Sequence, residues 1–158
     1  MFDSSVRKQT LGEIEKKGEE MNQTVNKELL SLVNVLLHAS YQFIFLSSLS
    51  KTLEMPGTSW MTKRKDGKCR DGAVTILDWV SANKGYLELA DISRPKFEES
   101  ELNPEFVLGR WDEVEKWINV NIEEVGEKIK ETHYDHEKKT DIRRVLNNIA
   151  TSIMSMSN

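Results

Sequence analysis

One cysteine, Cys69, is all the chain carries, so no intrachain disulfide can staple the fold. That favours a reducing, cytoplasmic setting and leaves an intermolecular bond through Cys69 open. The chain also lacks a basic excess. Its formal net charge is −4, with 22 Lys and Arg against 26 Asp and Glu, so no nucleic-acid partner is expected. Met1-Phe2-Asp3 opens without a basic n-region or an apolar h-region. Cytoplasmic residence is the expectation, with a secreted protein that has shed its signal as the alternative. The longest apolar run, Leu29–Leu49, is interrupted by Ser31, Asn34, His38, Ser40 and Gln42, and is too polar to serve as a membrane span. Neither a phosphate-cradling loop, nor zinc-ligand spacing, nor a recognisable Ser-His-Asp arrangement occurs.

What is present is a soluble, globular balance of 38% hydrophobic and 30% charged residues over 158 positions, enough for one domain with a real core. Residues 1–24 read as a polar N-terminal arm and 25–158 as the folded body. Within the arm, Asn22-Gln23-Thr24 fits the glycosylation triplet, a pattern that arises often by chance.

Helical periodicity dominates the body. Leu29, Val33, Leu36, Ser40 and Phe43 recur at spacings of three and four, predicting a helix from Val25 to Thr52. Leu30, Leu37, Ile44 and Phe45 widen its apolar face, so it should be covered on several sides. Pro56-Gly57 marks a turn. Ala73, Ile76, Leu77 and Val80 make a second stripe. Upstream of it, 63–72 contains two Asp-Gly pairs and reads locally as a loop. Tyr86–Ile92 alternates like a short strand before Pro95, inside a long connection that runs to about Asn103. Asn103-Pro104 is a cap followed by proline at the first helical position. Val107, Trp111, Val114, Ile118, Ile122, Val125 and Ile129 follow with near-perfect spacing, and Ile142, Val145, Leu146, Ile149, Ile153 and Met156 give a last stripe. Only the polar 126–130 region separates these two helices. Helix, turn, helix, long crossover, helix, helix is an all-α four-helix bundle with one long crossover.

Three segments then carry a resemblance. Leu37-His38-Ala39-Ser40-Tyr41, Lys84 through Pro95, and Glu131-Thr132-His133-Tyr134 resemble, in order, the first helix, the crossover and the start of the fourth helix of eukaryotic ferritins. The match extends over most of Asn26–Met154. It implies a ferritin-like four-helix bundle, a subunit of an oligomeric shell formed with itself or with catalytic ferritin subunits, and iron held as a stored mineral. The family's short fifth helix is expected to be absent. About ten residues are missing between Pro95 and Glu131 relative to the family.

The resemblance also implies that the iron-oxidising centre is lost. Ferritin-type centres need inward carboxylates and a Glu-x-x-His pair. The family's first-helix glutamate falls on Leu36 and its neighbouring tyrosine on Phe43. Its Glu-x-x-His falls on Cys69-x-x-Gly72, its fourth-helix glutamine near Lys138, and its third-helix glutamate on Glu115. No Glu-x-x-His occurs anywhere in the chain. The expectation is therefore no catalytic residue and no cofactor at a di-iron centre. Where non-catalytic subunits carry an acidic mineral-nucleating patch, this chain has Arg64, Gly67, Lys68 and Asp71. A basic face there would favour anions, although a solvated charge run is the simpler reading. The remaining metal candidates are Glu131, which matches a carboxylate of the family's three-fold channel, and the pair His133 and Glu137, four apart on an expected helix. Lys128 replaces the channel's aspartate. Cys69 between Lys68 and Arg70 is a candidate low-pKa thiol. Trp60, Trp79, Trp111 and Trp117 are expected in core or subunit contacts.

Overall fold

In the computed structural model, which describes residues 21–155, the chain is all-helical. It has α1 (Gln23–Thr52), α2 (Pro56–Ala82), α3 (Pro104–Glu131) and α4 (His136–Met154), with one 3-10 turn at Glu99–Glu101. Residues 1–20, most of the predicted arm, and Met156 lie outside the described residues. The body begins earlier than its sequence suggests. Met21 is in the core, and Asn22 caps α1 by accepting from the amides of Thr24 and Val25 at 2.8 and 3.1 Å. The Asn22 side-chain amide also donates to the His133 carbonyl at 3.0 Å. A glycan there would compete with both the cap and this bond.

α1 and α2 are joined by three residues and run antiparallel. α1 ends on left-handed Glu54 (φ 57°), with the Met55 amide reaching back to the Ser50 carbonyl at 2.8 Å. Cross-bundle contacts set the remaining directions. Lys128 meets Glu28 near one end of the α1–α3 pair and Arg110 meets Gln42 further along, so α3 runs against α1. Trp79 donates to Asp141 at 2.8 Å and Lys65 reaches Ile153, so α4 runs against α2. Residues 83–103 must therefore travel the length of the bundle. They leave beside Asn26, whose side chain holds the Tyr86 backbone, and arrive where Phe97 packs edge-on to Phe45 and tilted against Phe106. Two antiparallel hairpins linked by one lengthwise crossover are the result.

Each helix buries its stripe. Leu29, Leu32, Val33, Leu36 and Phe43 of α1 meet Val107, Ile118 and Ile129 of α3, and Ile142, Leu146 and Ile153 of α4, in one core. Among the described helices, α1 alone is long and apolar enough to cross a bilayer, which corrects the reading of Leu29–Leu49 as too polar for a span, since its scattered Ser, Asn, His and Gln do not offset the surrounding Leu, Val, Ile and Phe. Here its inner face is core, while Tyr41 and Ile44 stay 45% and 46% exposed.

Three local expectations need correction. Residues 63–72 are helical, not a loop. Ser59, Thr62, Lys65, Asp66, Cys69, Gly72, Ala73, Ile76, Trp79 and Val80 form one continuous buried stripe of α2. Ser59, Thr62, Lys65, Asp66 and Gly72, half of the ten, are residues that a hydropathy pattern does not score as core. Residues 86–92 form no strand, because no second extended segment lies beside them among the described residues. The break between α3 and α4 falls at 132–135 rather than 126–130. There Asp135 caps α4, and Lys139 donates to the Thr132 carbonyl at 2.9 Å.

Gly67 sits mid-helix with no atom within 4 Å of where a Cβ would stand. Gly67→Ala is expected to stabilise the fold by about 1 kcal/mol by restricting the unfolded chain and favouring helix. Thermal unfolding should show a rise of about 2–4 °C.

Candidate functional site

The middle of the bundle is where a four-helix fold of this kind builds metal chemistry. Here it divides into a dry level and a polar level. At the dry level α2 offers Gly72, and the absence of a side chain lets α4 press in. A Cβ on Gly72 would lie 2.8 Å from Ile149 Cγ2 and 3.5 Å from Leu36 Cδ1. Leu36, from α1, is fully buried, as are Phe43 and Cys69. No oxygen or nitrogen donor from these side chains enters this level.

The polar level lies two turns earlier along α2. Lys65, 1% exposed, sends its ammonium across the interior to donate to the Ile153 carbonyl near the end of α4. That carbonyl belongs to the last turn, where helical carbonyls lack intrahelical partners and carry the negative end of the helix dipole. A cation supplied from within the bundle answers both needs. The same ammonium lies 3.6 Å from Glu115 Oε1, to which Trp111 also donates its indole N–H. Next to it Asp66 accepts from Ser40 and forms a 2.7 Å ion pair with Arg70. The buried Asp66 and the half-buried Glu115 thus each have a cation and a neutral donor, as charges drawn out of water require.

These residues do not fit a di-iron centre. Leu36, Phe43, Gly72 and Ile149 carry no ligand atoms, and Lys65 places positive charge against Glu115, the one carboxylate that the resemblance left for the metal. The position assigned to Lys138 is corrected as well. Lys138 lies in the first turn of α4, its ammonium 6.0 Å from the Tyr134 ring at the bundle end, and Ile149 stands opposite Leu36 and Gly72 instead.

The peripheral candidates are also relocated. Glu131 is the exposed last residue of α3, His133 is in the connecting loop, and Glu137 is in the first turn of α4. His133 and Glu137 do not share a helix, so the i, i+4 geometry that made them a pair is gone. Among the described residues no three His, Cys, Asp or Glu side chains gather as a metal set.

Cys69 is not an activated thiol. It is fully buried, and desolvation, reinforced by Asp66, pushes its pKa up to about 12. Lys68 and Arg70 point elsewhere on the helix, Arg70 to Asp66. Native protein is expected to resist iodoacetamide at pH 8, and urea-unfolded protein to react at once, as mass spectrometry would show. Fast alkylation of the folded form would contradict this burial. Of the tryptophans, Trp79 is in the core and Trp111 is half-buried, while Trp60 and Trp117 are exposed.

The buried Lys65 was not singled out in sequence because it sits in a charge run. Its one signal is spacing, since Thr62, Lys65, Cys69, Gly72 and Ile76 keep a helical period. No protein-family model matches the chain, and no curated protein matches it.

Proposed function

We propose that the chain is a non-catalytic, ferritin-like subunit of an oligomeric shell. It packs the wall and contributes to passive storage of iron mineral without oxidising iron itself. The observation that carries the reading is the bundle centre. Leu36, Phe43, Gly72 and Ile149 fill one level, and the Lys65 ammonium occupies the other, where a metal-handling bundle would need donors. The lengthwise crossover between two hairpins supports the topology this reading needs.

Its outer surface supports assembly. Tyr41 and Ile44 on α1, and Leu87, Leu89 and Ile92 on the crossover, are exposed apolar side chains. Among the described residues Asn34 Oδ1 is buried without a partner in a groove between α1 and the crossover, an acceptor open to a donor from another subunit. Partners are further copies of the chain, or catalytic subunits that supply oxidised iron.

Native mass measurement tests the assembly, and ferrous oxidation tests the chemistry. The expected result is a particle of many subunits whose rate of iron oxidation does not exceed that of buffer. A subunit-sized species, or rapid oxidation by the pure protein, would overturn the proposal.

A second reading keeps the bundle or shell but turns it to non-iron cargo or protection. It is favoured by α2 residues Lys63, Arg64 and Lys68, which among the described residues have no carboxylate within ion-pair distance. Metal analysis of native particles separates the two. An iron core supports storage, and an iron-free particle supports the second reading.

A further inference from the structure

We propose that the Arg64–Lys68 strip of α2, with Asn148 and Ser152 of α4 across the adjoining groove, binds a phosphate-class anion. The five basic residues of 63–70 have divided roles. Lys65 is consumed in the interior, and Arg70 is held by Asp66. Lys63 is exposed on a different side of the helix, and Arg64 and Lys68 remain, one helical turn apart on one face. Among the described residues neither has a carboxylate within ion-pair distance.

The strip has a shape as well as a charge. Lys68 lines a groove of about 270 Å³ between α2 and α4, together with Asp71, Thr75, Asn148 and Ser152. Gly72, Val145 and Ile149 make its floor, which is mostly apolar, and Asn148 and Ser152 are the polar side chains that α4 contributes. Arg64 is held in place, its guanidinium 4.8 Å above the Trp60 ring. The Lys68 ammonium and the two neutral hydrogen-bonding side chains of the far wall are the groups that can contact a tetrahedral anion in the groove, while Arg64, which does not line it, adds positive potential from one turn away. Burial and repulsion from Arg64 and Lys65 hold Lys68 below its ordinary pKa, a strain that a bound anion relieves. Asp71 works against binding from the same groove, and it sets a limit that the test exploits.

This site does not rest on the shell reading, because one subunit contains all of it. The experiment is calorimetric titration of the full chain with inorganic phosphate and with pyrophosphate, in chloride buffer of constant ionic strength. Saturable binding with Kd below about 1 mM is expected. Lys68→Met should weaken it about tenfold, the loss that removing one charge-assisted contact brings, and Arg64→Gln, which removes only nearby positive potential, should weaken it by less. Asp71→Asn should tighten it, and Lys51→Met, on the exposed end of α1, should leave it unchanged. Preference for pyrophosphate over phosphate would identify a phosphate-ester or polyphosphate ligand, and the reverse would identify the free ion. Circular dichroism of each variant verifies the fold. Absence of saturable binding, or equal weakening by Lys51→Met and Lys68→Met, would overturn the proposal. Native mass is unaffected by either result, so failure here is distinct from failure of the shell.

Discussion

Lys65→Ala should unfold at markedly lower denaturant, with a loss of about 3–5 kcal/mol, the range for breaking a buried ion pair by removing one partner. Three penalties combine. The Ile153 carbonyl loses its donor in a helix terminus shielded from water. Glu115 keeps only the Trp111 indole. The removed stem leaves a void among buried neighbours. Glu115 is about a quarter exposed, with its side chain at 24%, so water can reach it and the loss should fall toward the low end. Lys65→Met separates these contributions. It refills the volume and omits only the charge, so a loss of about 1–3 kcal/mol is expected, the cost of the unsatisfied partners. Urea unfolding of both variants is the measurement. If alanine and methionine cost the same small amount, the interior ammonium holds nothing together.

Leu36→Glu should cost about 4 kcal/mol or more, and it should not create iron oxidation. The position is where the resemblance puts a ligand glutamate, yet the local environment is Gly72, Ile149 and other apolar groups. A lone carboxyl there loses its hydration without gaining a partner. Its pKa in the folded state is therefore raised above the unfolded value near 4.3. The sign of the pH dependence follows. Between the two pKa values the folded state holds a proton that the unfolded state has released, so stability falls as pH rises through that window. The variant should accordingly be least stable near neutrality and recover part of its loss as the pH is lowered toward 5. A Leu36→Glu protein as stable as wild type at pH 7 would mean that the centre is wet or already polar, which would remove the main support for a non-catalytic subunit.

Much of the fold was legible in sequence wherever apolar residues alone drew the pattern. The stripes from Leu29 to Phe43, Val107 to Ile129 and Ile142 to Ile153 are the observed buried faces, apart from Trp111 and Val145, which are half-buried. The Asn103-Pro104 start of α3 is also as expected, its side chain accepting from the Phe106 amide at 2.8 Å. The first half of α2 was not legible. Its buried face is written in Ser59, Thr62, Lys65, Asp66, Cys69 and Gly72, residues that local rules assign to turns and surfaces. Only long-range partners justify burying them: the Ile153 carbonyl for Lys65, Ser40 for Asp66, and Ile149 for Gly72. The apparent strand at Tyr86–Ile92 failed for the opposite reason. Alternation supplies two faces, but a strand also needs a neighbour, and none of the described residues provides one.

The candidate site was half legible. Absence of ligand atoms at Leu36, Phe43 and Gly72 is a property of the residues themselves. Which α4 residue completes that level depended on how far α4 slides along α2. That offset is fixed by Trp79 on Asp141 and Lys65 on Ile153, pairs 62 and 88 residues apart.

The side chain of Asn26 pairs with the backbone of Tyr86 in both directions, accepting its amide at 2.7 Å and donating to its carbonyl at 2.9 Å. Gly85 lies so near this clasp that a Cβ would collide with the Asn26 amide oxygen and with Val80. The entrance of the crossover cannot loosen while the opening turn of α1 stays wound. In hydrogen exchange the Tyr86 amide should therefore share one opening rate with the first turn of α1, two segments sixty residues apart breathing as a single latch.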